Sequence, residues 1–178
     1  IGGAFVILIA GSAVTQLTLS RATPEQDASV AAGNYAGVLK KMGRLAEAGA
    51  VLKDALKIDP SDAPTVRKLA DIYLELQQYA SAVEFYRKIE SLPVYQRDVN
   101  QNLALCYLAL DHPAAARESI LKSIAAAPDQ ANLHFILAEI EYKLGHLDSC
   151  RAELLTALKL NPAYDKARAA LDALGRPK

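Results

Sequence analysis

The sequence predicts an all-α protein: a solenoid of four helix-turn-helix repeats, closed by a capping helix and preceded by a transmembrane helix. Three observations carry this reading. The alanines at 36, 70, 104 and 138 stand 34 residues apart, and Ala48, Ala82 and Ala116 keep the same step, with Cys150 in the fourth place. A fixed period of this length marks stacked helical hairpins, because each unit can bury its apolar face only against its neighbours. Residues 1–20 carry no charge, and Tyr164, Ala167, Leu171 and Leu174 line one stripe of a final helix.

The first element is the span, IGGAFVILIAGSAVTQLTLS. As a helix, twenty residues rise about 30 Å, the thickness of a bilayer's hydrocarbon core. Gln16 lies near one end, where an interface can hydrate it, and Gly2, Gly3, Gly11 and Ser12 offer small surfaces to another membrane helix. A secretory signal has a shorter apolar region that ends at a cleavage site, and a buried amphipathic helix shows a polar face, so a single-pass anchor is the preferred reading. Residues 21–28, RATPEQDA, read as a linker with one proline. Only Arg21 follows the span closely, with Glu25 and Asp27 soon after, which places the repeats on the non-cytoplasmic (periplasmic) side by the positive-inside rule.

The repeats are framed as 29–62, 63–96, 97–130 and 131–162. Their first helices carry Tyr35, Leu69, Leu103 and Leu137 one residue ahead of the alanines. Their second helices carry Ala48 with Leu52, Ala82 with Tyr86, Ala116 with Ile120, and Cys150 with Leu154. Small residues let antiparallel helices approach closely, and the large ones are expected to fill the seams between neighbours. Gly43 and Gly145 stand between paired helices, where a left-handed residue ends the first one. Gln77 and Asp111 hold the same place less comfortably. Pro60, Pro128 and Pro162 share the lattice, while Pro93 falls one residue early. Residues 163–178 supply the cap and a tail, stopped by Gly175 and Pro177. Asp172 occupies the place of the close-packing alanine, so no further helix is expected to press on it.

Composition narrows the chemistry. With 20 basic and 20 acidic residues the formal charge is zero, so no net field attracts nucleic acid. Cys106 and Cys150 read as two small buried hydrophobes. His112 and His146 fall in turns, and His134 lies within a helix; no HxxxH, HExxH or CxxC spacing exists to hold zinc. Gly33 and Gly37 follow no strand and lack the phosphate-loop lysine, and Glu139 and Glu141 point to different faces of one helix. No enzyme and no cofactor are expected.

Over residues 29–162 the pattern resembles the tetratricopeptide repeat family, with its signature W-x2-L-G-x2-Y, then A-x3-F, then P. The first part reads Ala32, Tyr35, Ala36, Leu39; then Val66, Leu69, Ala70, Tyr73; then Asn100, Leu103, Ala104, Tyr107; then His134, Leu137, Ala138, Glu141. The resemblance implies that the first helices line a concave groove for a protein or peptide segment. Its groove positions fall on Asn34, Lys40 and Lys41, on Arg67, Lys68, Asp71 and Leu74, on Gln101, Asn102, Leu105 and Leu108, and on Phe135, Glu139 and Tyr142. Asn34 and Asn102 would hold peptide backbone, since an amide both donates and accepts. Leu105, Leu108, Phe135 and Tyr142 would be apolar anchors, and Lys40, Lys41, Arg67 and Lys68 would favour acidic groups at one end. The carboxylate clamp of chaperone adaptors is not expected, because Gly33, Gly37 and Asp98 stand at three of its positions.

The function implied is a membrane-anchored scaffold or adaptor in assembly or recruitment. The alternative is an accessory subunit held mainly by its transmembrane helix against other membrane subunits. The frame makes a direct prediction: Ala70→Leu or Ala104→Leu should overpack a helix crossing and lower stability by about 1–3 kcal/mol in urea denaturation. A variant as stable as the parent would place the crossing elsewhere.

Overall fold

A computed structural model of the chain describes residues 24–175, and these residues form nine α-helices and one short 3₁₀ turn. The hairpins are α1 (Pro24–Lys41) with α2 (Leu45–Ile58), α3 (Ala63–Glu75) with α4 (Tyr79–Arg87), α5 (Gln96–Ala109) with α6 (Pro113–Ala126), and α7 (Ala131–Lys143) with α8 (Leu147–Leu160). The final helix is α9 (Asp165–Leu174). No helix among the described residues is long and apolar enough to cross a membrane. The expected anchor, residues 1–20, lies outside them.

The last five residues of the expected linker, 24–28, lie within helix α1. The expected lid agrees with α9: Ala167 is fully buried, Leu171 and Leu174 are half-buried, and Asp172 faces outward.

The lattice of small residues is the core. Ala36, Ala70, Ala104 and Ala138 are all buried, as are Ala48, Ala82, Ala116 and Cys150 on the facing helices. Leu52, Tyr86, Ile120 and Leu154 close the seams from the second helices. Each second helix also packs on the first helix of the next unit: α2 on α3, α4 on α5, α6 on α7 and α8 on α9. Cys106 and Cys150 are free, buried thiols, and burial pushes Cys106 up to about 12.

Two seam positions depart from expectation. Leu69, Leu103 and Leu137 are buried, but Tyr35 at the same place is 55% exposed. Those leucines lie against the second helix of the preceding unit, and the first unit has no such neighbour among the described residues. Glu141 stands where Leu39 and Tyr73 fill the core, yet it too is buried. Its charge is matched by Arg117 Nε at 2.6 Å and His146 Nδ1 at 2.7 Å.

The early proline also has a local effect. Helix α4 stops after nine residues, and the chain coils tightly through Lys88 and Ile89 by i→i−3 bonds. Leu92 is extended before Pro93, which opens the 3₁₀ turn Pro93–Tyr95. A residue before proline is driven out of the helical region, so the second helix of this repeat cannot continue into the next.

All four hairpins turn the same way. The N–H groups of Arg44, Gln78, His112 and His146 donate to the carbonyls of Leu39, Tyr73, Tyr107 and Glu141 at 2.8–2.9 Å. The residue before each donates to the carbonyl three positions earlier, giving a Schellman closure with one left-handed residue. That residue is Gly43 (φ +76°), Gln77 (φ +58°), Asp111 (φ +58°) or Gly145 (φ +79°). The strain sequence spacing assigned to Gln77 and Asp111 is therefore present. Gln77→Gly should stabilise by about 0.5–1 kcal/mol, because a left-handed L-residue costs about 1–2 kcal/mol and glycine returns part of that as chain entropy. Gly145→Ala should destabilise by about 1 kcal/mol, since a Cβ there meets nothing and only the backbone objects. Urea midpoints of the two variants check both signs.

Candidate interaction groove

Helices α1, α3, α5 and α7 stand side by side, and their free faces carry two neighbouring clefts. The first, about 320 Å³, is polar and is lined by Lys40, Arg67, Asp71, Leu74, Glu75, Asp98, Gln101 and Asn102. Six of them, Lys40, Arg67, Asp71, Leu74, Gln101 and Asn102, are expected groove residues, and Glu75 and Asp98 join them. Asn34, Lys41 and Lys68 do not line it. Lys68 instead lies over Gly33, where a Cβ would collide with its ammonium end.

The floor of this cleft is a hydrogen-bonded triad. Tyr86, reaching up from α4, donates to Asp71 Oδ1 at 2.6 Å, and Asn102 Nδ2 donates to the Tyr86 hydroxyl at 2.9 Å. Burial, reinforced by the Asp71 carboxylate, pushes the Tyr86 phenol far above its ordinary value, so it remains a donor. Asn102 Nδ2 also reaches Asp71 Oδ1 at 3.5 Å, so its amide nitrogen is engaged in the fold while its carbonyl oxygen has acceptor capacity. The rim is electrically matched. Lys40 pairs with Glu75, Arg67 lies 3.9 Å from Asp71 and over the Tyr95 ring, and Arg97 binds Asp98 at 2.6 Å. The hydrogen bond from Arg97 holds the Asp98 carboxyl below its ordinary value.

The second cleft, about 530 Å³, is apolar and opens between α7, α8 and α9 beside Leu108. Phe135 and Tyr142 form one wall, Cys150 and Leu154 the floor, and Ala170, Ala173 and Leu174 the wall from the lid. Three of the four expected anchors therefore meet here. The fourth, Leu105, is half-buried and packs with the cluster around Ile120 and Leu137 instead. Phe135 is held by the lid, its ring 5.2 Å from that of Tyr164. Tyr142 stays 53% exposed. Glu139 sits at the rim, where burial raises its carboxyl above the ordinary value despite the opposing charge of Lys166. Lys143 pairs with Asp111 at 3.2 Å.

Three polar constellations were not legible in the sequence. Tyr86 read as a seam filler, and only the crossing of α3, α4 and α5 brings it to Asp71 and Asn102. Glu141 read only as the last member of the fourth repeat's signature, and its partners come from α6 and the following turn. His134, on the position where the repeat signature has tryptophan, sets Nδ1 2.7 Å from Glu153 and Nε2 2.9 Å from the Pro128 carbonyl, tying α7 to α8 and to the preceding loop. The helix-to-helix partners stand 15 to 24 residues apart in sequence, so no local pattern announces them.

The stacked helical hairpins define an α-solenoid class of fold, and sequence comparison gives the family. Tetratricopeptide repeat models match residues 30–91, 98–130 and 131–164, and the chain belongs to that family. Its fold is similar to MamA from Desulfovibrio magneticus RS-1, with a TM-score of 0.78 and 19% identity over 83% of this chain and 84% of that one. It is also similar to YrrB, described as a TPR protein with an unusual peptide-binding site, with a TM-score of 0.72 and 18% identity over 82% and 75% of the two chains. Among curated proteins, the transcription factor tau 131 kDa subunit of Saccharomyces cerevisiae is 26% identical over 104 residues, 54% of this chain and 10% of its own length. This chain thus spans about a tenth of that relative.

The buried carboxylate beneath the groove gives a signed pH prediction. Burial pushes Glu141 up, but the hydrogen bonds from Arg117 and His146 outweigh it and hold the group below its ordinary 4.5. A depressed folded value means stabilisation that is complete above 4.5 and lost as pH falls through the folded value. Glu141→Gln should therefore lose less stability than the parent between pH 6 and pH 3, measured by urea midpoints. An identical acid loss in both proteins would contradict the assignment.

Proposed function

We propose that this protein is a scaffold that holds a segment of another protein in its concave groove. The segment runs over the polar cleft and seats a bulky apolar side chain in the cleft between α7 and α9. The single observation that carries this reading is the apolar cleft itself, 530 Å³ of unfilled space opening beside a polar cleft on the same row of helices. Largely apolar clefts with a few placed polar groups are the usual form of a binding site. In the polar cleft, the Asn102 carbonyl, Gln101 and the paired charges suit peptide backbone better than a strongly charged tail. The peptide-binding description of YrrB supports the same use of this fold.

The uncharged stretch 1–20 supports the further reading that the scaffold is tethered to a membrane as a single-pass protein, with its repeats on the non-cytoplasmic side. A tether also concentrates the scaffold near membrane partners, which suits a role in assembly or recruitment.

The test is affinity purification of the tagged full chain from its native membranes. Tyr142→Glu and Ala173→Glu place charge in the apolar cleft at two exposed positions, so neither should perturb helicity. Each should reduce the partner recovered at least tenfold, about 1.4 kcal/mol of binding. Undiminished recovery with both variants would rule out the cleft as the anchor site.

A further inference from the structure

The two clefts differ in how their charges are answered. Four carboxylates line them: Asp71, Glu75 and Asp98 in the polar cleft, and Glu139 in the apolar one. The first three each have a cation in ion-pair contact, namely Arg67, Lys40 and Arg97. Glu139 has none among the described residues. Lys143 is spaced to pair with it, since a glutamate four residues before a lysine is the favourable order on a helix. Its ammonium goes instead to Asp111, in the turn of the preceding unit, at 3.2 Å. Lys166 of the lid opposes the Glu139 charge from outside ion-pair distance.

The unanswered carboxylate stands beside the apolar volume. Phe135, Glu139 and Tyr142 are spaced i, i+4 and i+7, which sets them on one face of α7, and all three line the cleft. Burial raises the Glu139 carboxyl above its ordinary value although Lys166 pulls the other way. Part of its charge is thus withdrawn from water with no cation in contact. A cation seated there would meet the carboxylate and the exposed Tyr142 ring together. A guanidinium suits both, through its fork of N–H donors and by stacking on the ring.

We propose that Glu139 selects the segment held in this cleft: next to its bulky apolar residue, that segment carries a basic one, arginine for preference. The inference rests on the reading of the apolar cleft as the anchor site. Side chains two apart in an extended segment stand about 7 Å from each other. That is close to the separation of about 5–6 Å between Glu139 and the aromatic residues one turn away on α7. One segment can therefore fill the apolar volume and reach the carboxylate at once. Residues 176–178, Arg-Pro-Lys, bring cations without a bulky apolar side chain.

The test is a displayed library of short random peptides selected on the full chain, with Tyr142→Glu and Ala173→Glu run in parallel to mark the clones that need the cleft. The expected result is that cleft-dependent clones place an arginine or lysine within two positions of a large apolar residue. Glu139→Gln should weaken the corresponding synthetic peptides roughly tenfold, and added salt should shrink that difference. Glu139→Lys should turn the selected neighbour acidic. Cleft-dependent clones without a basic neighbour would overturn this proposal and leave the anchor site standing, as would binding indifferent to Glu139→Gln. Clones that ignore both cleft variants would remove the anchor site itself. A chain that yields no cleft-dependent clone would also overturn the proposal, because its own ends or a second copy would then hold the cleft.

Discussion

Every hairpin in this protein depends on the seam between a second helix and the first helix that follows it. One hairpin buries its own alanine crossing but leaves an apolar stripe bare on one side. The stripe is satisfied only when the next unit arrives, so order is passed from neighbour to neighbour along the chain. The close approach that makes this possible rests on residues without bulk, such as Gly49 against Ile72 and the alanines of the 34-residue lattice. Dense packing of that kind tolerates little added volume.

The groove is a by-product of the same seam. Because each unit repeats one geometry, the first helices stand in a row with their free faces together, and side chains roughly one repeat apart become neighbours. Lys40 meets Glu75, Asp71 meets Asn102 through Tyr86, and Lys143 meets Asp111. The polar cleft therefore has its charges already paired, while the apolar cleft beside the lid keeps open volume. Recognition would then depend on shape and apolar contact at one end and on backbone hydrogen bonding at the other. Electrostatic steering would contribute less, since the chain carries no net charge.

The architecture was legible because it is periodic. The alanine lattice, the turn glycines and the lid stripe each located a real element, and Gln77 and Asp111 were recognisable as left-handed from spacing alone. Six of the expected groove residues, Lys40, Arg67, Asp71, Leu74, Gln101 and Asn102, line the polar cleft together. What escaped was everything decided by neighbours rather than by position. Tyr35 obeys the repeat and yet is exposed, because a seam position is only as buried as its neighbour makes it. Glu141 breaks the repeat and yet is buried, because Arg117 and His146 arrive from elsewhere. The helicity of residues 24–28 was hidden because proline reads as a linker residue as readily as a helical one.

If order passes through the seams, protection should follow them. Residue-resolved native-state hydrogen exchange on the full chain measures this directly. The account expects amides of α3, α5 and α7, covered on both sides, to open only with the highest free energies. Those of α1, on whose Tyr35 side no described helix packs, should exchange through a lower-energy local opening. Uniform protection from α1 to α7 would contradict it, for it would mean that the Tyr35 side of α1 needs no neighbour.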